Sequence, residues 1–196
     1  AKVINNSPYN TQWAYNLQSV PTTVTYPDNS KVYYSYNKEG LPIRLRTAEP
    51  NENIVSSREL IANVAYSPLK QISRIEYTNG TITENTFNPS QAYRLTHKST
   101  INTFDDVLQN LTYVYDNVGN IVQLVDQSDT QLAKTTNYEY DGLYRLTGAT
   151  VTGSANNADY TQTYSYDIIG NLLNKSDLGE YLYQNTNPYQ TNSINN

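Results

Sequence analysis

Cysteine and methionine are both absent from the 196 residues, and histidine occurs once. Without cysteine there is no disulfide, no thiolate metal site and no cysteine nucleophile. A Ser-His-Asp triad or a histidine-rich metal centre would have to be built around His97, in Leu95-Thr96-His97-Lys98. Its setting reads as a strand residue with a structural role. No Gly-x-Ser-x-Gly elbow, phosphate loop or His-Glu-x-x-His helix is present. The chain therefore reads as a non-enzyme, with no cofactor and no metal. Charge is also scarce: 16% of residues, with 13 Lys+Arg against 18 Asp+Glu, for a net charge of −5. With no basic cluster, phosphate neutralisation and hence nucleic acid as a partner are excluded. No apolar run approaches the ~18 residues of a membrane span. Residues 1–15 carry no apolar signal-peptide core, and the missing methionine, at position 1 too, points to a processed product or an excised piece.

What fills the chain instead is Asn, Thr and Tyr, with 20 tyrosines against two Phe and one Trp. The hydrophobic fraction is 37%, below the roughly 45–50% of ordinary globular domains. Abundant rings at low charge do not signal disorder; they imply ring-lined sheet surfaces rather than a thick aliphatic interior.

The tyrosines recur in a pattern, Tyr-x-Tyr-Asp-x-x-Gly-x-Leu. One copy runs from Tyr34 and Tyr36 to Gly40 and Leu41. A second holds Tyr113, Tyr115, Asp116 and Gly119, a third Tyr138, Tyr140, Asp141 and Leu146, and a fourth Tyr164, Tyr166, Asp167 and Gly170. The last three start about 25 residues apart. Degenerate copies are seen from Phe87-Asn88-Pro89 to Tyr93-Arg94-Leu95, one residue longer, and at Ala65-Tyr66-Ser67-Pro68. Two tyrosines at spacing two share one face of a strand. The aspartate opens a turn by accepting nearby backbone N–H groups, and glycine takes the left-handed position that closes a bulged hairpin loop. Asp116, Asp141 and Asp167 are thus turn formers rather than a carboxylate site. Asp105-Asp106 and the acidic residues from Asp126 to Asp129 read as solvated loops. Tyr93 and Tyr144 stand where glycine is expected; because an aromatic at positive φ is strained, those two loops are expected to use another geometry. A second turn type, marked by Asn79-Gly80 and foreshadowed at Tyr26-Pro27-Asp28-Asn29, is expected to alternate with the first.

The chain thus predicts an all-β fold of antiparallel hairpin repeats. The window with the best helical signal, Ser56 to Ala62, otherwise reads as strand. Loops fall at 49–53, 153–158 and 185–196. Residues 1–19 read as a lead-in, 20–178 as the repeat region and 179–196 as an Asn-rich strand and tail.

The repeat resembles the RHS or YD repeat. Arg74-Ile75-Glu76-Tyr77-Thr78-Asn79-Gly80-Thr81 and Leu108 through Ile121 look like the repeat region of the B component of bacterial insecticidal toxin complexes and of related Salmonella-type virulence proteins. The resemblance spans Val20 to Leu178 and implies a curved, shell-like sheet strip in a secreted or extracellular protein. In that family the shell encloses a toxic segment, so the implied partners are the remainder of the shell and its enclosed cargo. A related barrel in teneurins serves adhesion. The paired Asp-Pro segments of the family's self-cleaving core, an effector domain and a propeller are not found in this sequence. About 196 residues can supply an arc of wall, not a closed chamber. Two alternatives stay open. One is an adhesion or self-assembling fibre module, forming a homo-oligomer through open strand edges. The other is a glycan-binding β-domain using exposed tyrosines and Trp13.

Overall fold

A computed structural model describes residues 2–4, 7–153, 159–184 and 187–195. The strands are β1 (Lys2–Ile4), β2 (Ser7–Tyr9), β3 (Gln12–Tyr15), β4 (Pro21–Thr25), β5 (Lys31–Tyr36), β6 (Pro42–Ala48), β7 (Arg58–Tyr66), β8 (Ile72–Tyr77) and β9 (Ile82–Asn88). After a 3-10 turn at Pro89–Gln91 come β10 (Arg94–Ile101), β11 (Val107–Tyr115), β12 (Ile121–Asp126), β13 (Lys134–Tyr140) and β14 (Leu146–Gly153). The last four are β15 (Tyr160–Tyr166), β16 (Leu172–Lys175), β17 (Gly179–Gln184) and β18 (Asn187–Asn195). β1 and β2 pair with each other, and β3 to β18 make an open antiparallel sheet in strict chain order. The all-β hairpin architecture expected from the repeat is what the chain adopts. The Ser56–Ala62 window becomes the start of β7, preceded by a loop.

Two units divide the chain, residues 1–94 with 98–108, and residues 95–97 with 109–196. In the first unit, strand register lines up Tyr34, Leu45, Ile61 and Tyr77 across β5 to β8. The opposite face carries Arg46 against Glu59 and Arg74 against Glu84. In the second, Tyr113, Leu124, Thr136, Val151 and Tyr160 lie in line across β11 to β15. Gln123, Asn137, Thr150 and Thr161 occupy the other face. Period-two alternation therefore sorts each unit's sheet into an aromatic–aliphatic face and a polar face. Among the described residues, Val24 and Ala48 in the first unit and Val151 and Ala149 in the second are the buried apolar side chains. Most rings are half-buried, so cohesion comes from strand-to-strand contacts more than from a deep core.

Candidate functional site

Among the described residues, nine hairpin loops share one construction. They open at Asn16, Tyr26, Asn37, Ser67, Tyr77, Asn102, Asp116, Asp141 and Asp167. In each, the first N–H donates to the fifth carbonyl, and in the loops opening at Asn16, Tyr26, Asn37, Ser67, Tyr77, Asn102, Asp141 and Asp167 the fourth N–H returns to the first carbonyl. The fourth residue is left-handed throughout: Ser19, Asn29, Gly40, Lys70, Gly80, Asp105, Gly119, Tyr144 and Gly170. This is a type I turn closed by a bulge. The bulge also explains the register shift just before Tyr36, Tyr66, Tyr115, Tyr140 and Tyr166.

Two expectations are corrected here. Asn79-Gly80 does not mark a second turn type; only Gly80 is left-handed (φ 81°), and the loop has the same two bonds as the others. Nor does Tyr144 escape to another geometry. Its φ is 63°, and its N–H meets the Asp141 carbonyl at 2.9 Å. The loop is over-determined by its aspartate, and the ring is exposed, so nothing crowds it. Tyr93, at φ 55°, is left-handed as well, in a loop lengthened by the 3-10 turn, and its N–H donates to the Asn88 carbonyl at 2.9 Å.

In six loops the first side chain, Asp or Asn, holds the turn closed. At Ser67 the hydroxyl accepts the Gln71 N–H at 3.2 Å, and in the loops opening at Tyr26 and Tyr77 the third residue, Asp28 or Asn79, accepts the fifth N–H instead. Oδ1 of Asp167 accepts the N–H groups of Ile169 and Asn171 at 2.9 and 2.8 Å. Oδ1 of Asp141 accepts those of Leu143 and Arg145 at 2.9 and 3.0 Å, and Asp116 does the same for Val118, Gly119 and Asn120. Asn16, Asn37 and Asn102 substitute for aspartate with the same pair of bonds. Oδ2 of Asp116 and of Asp167 each takes a side-chain amide, from Asn120 and Asn171, both at 2.8 Å. Oδ2 of Asp141 takes Arg145 Nε at 2.6 Å. Desolvation raises the Asp116 and Asp167 carboxyls, but these hydrogen bonds outweigh it and hold both below the ordinary value. Asp141 is lowered chiefly by the Arg145 N–H. Arg145 then reaches the next loop: Nη1 donates to the Asp167 carbonyl at 3.0 Å, and its guanidinium lies 4.8 Å from the Tyr166 ring centroid.

The second tyrosine of each motif ties its hairpin to the previous one. The hydroxyls of Tyr140 and Tyr166 donate to the carbonyls of Ile121 and Leu146, both at 2.8 Å. Tyr36 donates to Pro21, Tyr66 to Pro42, Tyr115 to Leu95 and Tyr183 to Leu172. Pro21, Pro42, Ile121, Leu146 and Leu172 are each the residue that pairs, just after the loop, with the tyrosine ending the preceding strand: Tyr15, Tyr36, Tyr115, Tyr140 and Tyr166. At Phe87, where the hydroxyl is missing, Asn85 Nδ2 supplies the bond, donating to Ile72 at 2.9 Å. Burial pushes the phenols of Tyr36, Tyr66, Tyr140 and Tyr166 above their ordinary value. Tyr113 is raised too, by burial and then by Asp126 and Tyr138. Tyr34 stacks on Tyr36 with centroids 6.5 Å apart, and Tyr164 donates to Gln162 Oε1 at 2.8 Å. Tyr138 faces Ala149 across β13 and β14.

Sequence reasoning missed the Asn16 and Asn102 loops, Tyr183 and the proline acceptors. The detectable signal was a repeated acceptor side chain five residues before a strand start, whether Asp or Asn. His97 meets Asn110 Oδ1 at 2.8 Å. Among the described residues no three metal-ligating side chains come together.

Repeated hairpins, most closed by an Asx side chain and most laced to the last by a phenol, define a sheet-forming repeat scaffold. No protein-family model matches the chain, and no curated protein does. Solved structures share its fold. The crystal structure of TcdB2-TccC3-Cdc42 aligns over 82% of this chain at a TM-score of 0.62 and 19% identity. Those of TcdB2-TccC3-TEV and TcdB2-TccC3 align over 81%, at TM-scores of 0.60 and 0.61 and the same 19% identity. This likeness agrees with the RHS/YD-repeat reading. The chain spans 10% of the length of each of those chains.

Proposed function

We propose that the chain is a non-enzymatic structural segment, a stretch of RHS-type wall whose role is to contain a toxin or effector segment in a secreted or extracellular bacterial protein. The observation that carries this reading is the phenol ladder. It links successive hairpins within each unit through a side-chain bond to a strand-start carbonyl, from a phenol at Tyr36, Tyr66, Tyr115, Tyr140, Tyr166 and Tyr183 and from the Asn85 amide at the Phe87 copy, which suits a sheet that must be extended by repetition and resist local opening. The two-faced strands support it: rings and aliphatics on one face suit an apolar cargo, and the polar face suits solvent. The fold shared with TcdB2-TccC3 structures supports the scaffold role. The implied partners are the rest of such a wall and its cargo. Electron cryomicroscopy of the longest natural product containing this sequence tests the proposal. The expected map shows the segment in the wall of a hollow chamber, with the Tyr113–Val151 face toward the lumen. A segment with both faces in bulk solvent, or one stacked edge to edge into filaments through β3 or β18, refutes containment, and the filament outcome supports the self-assembly alternative.

A further inference from the structure

Of the nine loops, that between β8 and β9 alone places asparagine before glycine, Asn79-Gly80. Elsewhere in the loops the nitrogen after an asparagine belongs to a residue with a side chain, as in Asn29-Ser30, Asn102-Thr103 and Asn117-Val118. Gly80 has no side chain of its own to shield its nitrogen. Asn79 is exposed, and its Oδ1 accepts the Thr81 N–H at 3.0 Å, a bond that spans the Gly80 nitrogen and polarises the side-chain amide carbonyl.

We propose that Asn79 is a self-modifying site, converting through a cyclic imide to aspartate and isoaspartate. The Gly80 nitrogen loses its proton to a water-borne base and bonds to Asn79 Cγ. The Cγ–Nδ2 bond breaks, and Nδ2 leaves as ammonia with the proton it recovers. Water then opens the imide at either carbonyl. One water enters, one ammonia leaves, and nothing is oxidised or reduced. The reaction runs through openings of the Gly80 N–H bond to the Tyr77 carbonyl, 3.0 Å in the closed loop. The fold therefore slows it without preventing it.

Asp141-Gly142 supplies an internal contrast. Asp141 has the same bond to the residue two positions on, but its carboxylate is also held by Arg145 N–H and, at 2.6 Å, by Arg145 Nε. An ionised, fully bonded carboxylate is a poor electrophile, so that site stays silent. At position 79 the isoaspartate product adds a methylene to the main chain inside a loop whose Tyr77 N–H to Thr81 carbonyl bond, 2.9 Å, closes the β8–β9 hairpin. It also adds a carboxylate beside the Asn102–Asp106 loop, which carries Asp105 and Asp106 and packs Thr103 so tightly on Gly80 that a Cβ there would collide with it. The modification acts as a slow timer that loosens this hairpin before the others.

The test ages the full chain in mildly alkaline buffer at body temperature and maps its peptides by mass spectrometry with fragmentation that separates aspartate from isoaspartate. The N79Q variant and a wild-type sample in denaturant run alongside. The expected result is a gain of one mass unit at Asn79, several-fold ahead of every other loop asparagine, faster in denaturant and absent in N79Q. Asp141 stays unisomerised, and the Tyr77 and Thr81 amides of the aged protein exchange faster. An Asn79 amide still intact after Asn29, Asn102 or Asn117 has converted, or isomerisation at Asp141 first, overturns the proposal.

Discussion

Removing one hydroxyl tests the lacing directly. Tyr166→Phe keeps the ring over the Arg145 guanidinium, 4.8 Å from its centroid, and deletes only the 2.8 Å bond to the Leu146 carbonyl. A neutral intramolecular hydrogen bond contributes about 0.5–1.5 kcal/mol net, and the abandoned carbonyl is only part-buried, so the loss expected is about 1 kcal/mol. For a chain of this length that lowers the Tm by about 2–4 °C. The protein contains its own control at Phe87, where Asn85 Nδ2 already occupies the Ile72 carbonyl. Phe87→Tyr alone should therefore gain less than about 0.5 kcal/mol, whereas Asn85→Ala should cost about 1 kcal/mol. In the double variant the new phenol takes over the freed carbonyl and recovers most of that loss, an interaction energy of about 0.5–1 kcal/mol in a double-mutant cycle. Urea denaturation with a constant m-value is the assay. A neutral Tyr166→Phe, or strict additivity of the Asn85 and Phe87 changes, would show that the phenols fill space and do not lace the hairpins.

Left-handed positions give a second set of outcomes. Tyr144→Gly should stabilise by about 0.5–1 kcal/mol, since it relieves an exposed aromatic at positive φ. Gly170→Ala, with open space around the new methyl, should cost about 1–2 kcal/mol, and Gly80→Ala should cost clearly more because of Thr103; thermal melts rank the three. Asp167→Ala should lower stability, and Asp167→Asn should cost less, because Asn16, Asn37 and Asn102 keep the same pair of backbone bonds, but not nothing, because the Asn171 amide loses its acceptor at Oδ2. The lowered carboxyls of Asp116, Asp141 and Asp167 contribute stability that is complete above 3.8 and lost as pH falls through their folded values below it. The raised phenols of Tyr36, Tyr66, Tyr140 and Tyr166 contribute stability that is complete below 10.0 and lost as pH climbs through their folded values above it. Urea midpoints should therefore be flat between about pH 5 and pH 9 and fall on both sides; a steep slope near neutrality would contradict this. Deleting the chain after Tyr160 should leave the earlier hairpins folded by circular dichroism, and a single global collapse would contradict nearest-neighbour additivity.

Strand alternation, hairpin order and the turn role of Asp116, Asp141 and Asp167 follow from local spacing alone: period two and a short acceptor side chain act within a few residues. What the chain could not announce is how its tyrosines are shared out. That Tyr166 reaches Leu146 rather than a neighbour on its own strand depends on the stagger left by each bulge, which only paired strands define. The same dependence hid the Asn85 replacement at Phe87 and the left-handed Tyr144. Local preference argues against an aromatic there, and the fixed loop length between two already registered strands overrules it. Local chemistry chose the turns; the closed hydrogen-bond geometry of adjacent hairpins chose which side chains hold them together.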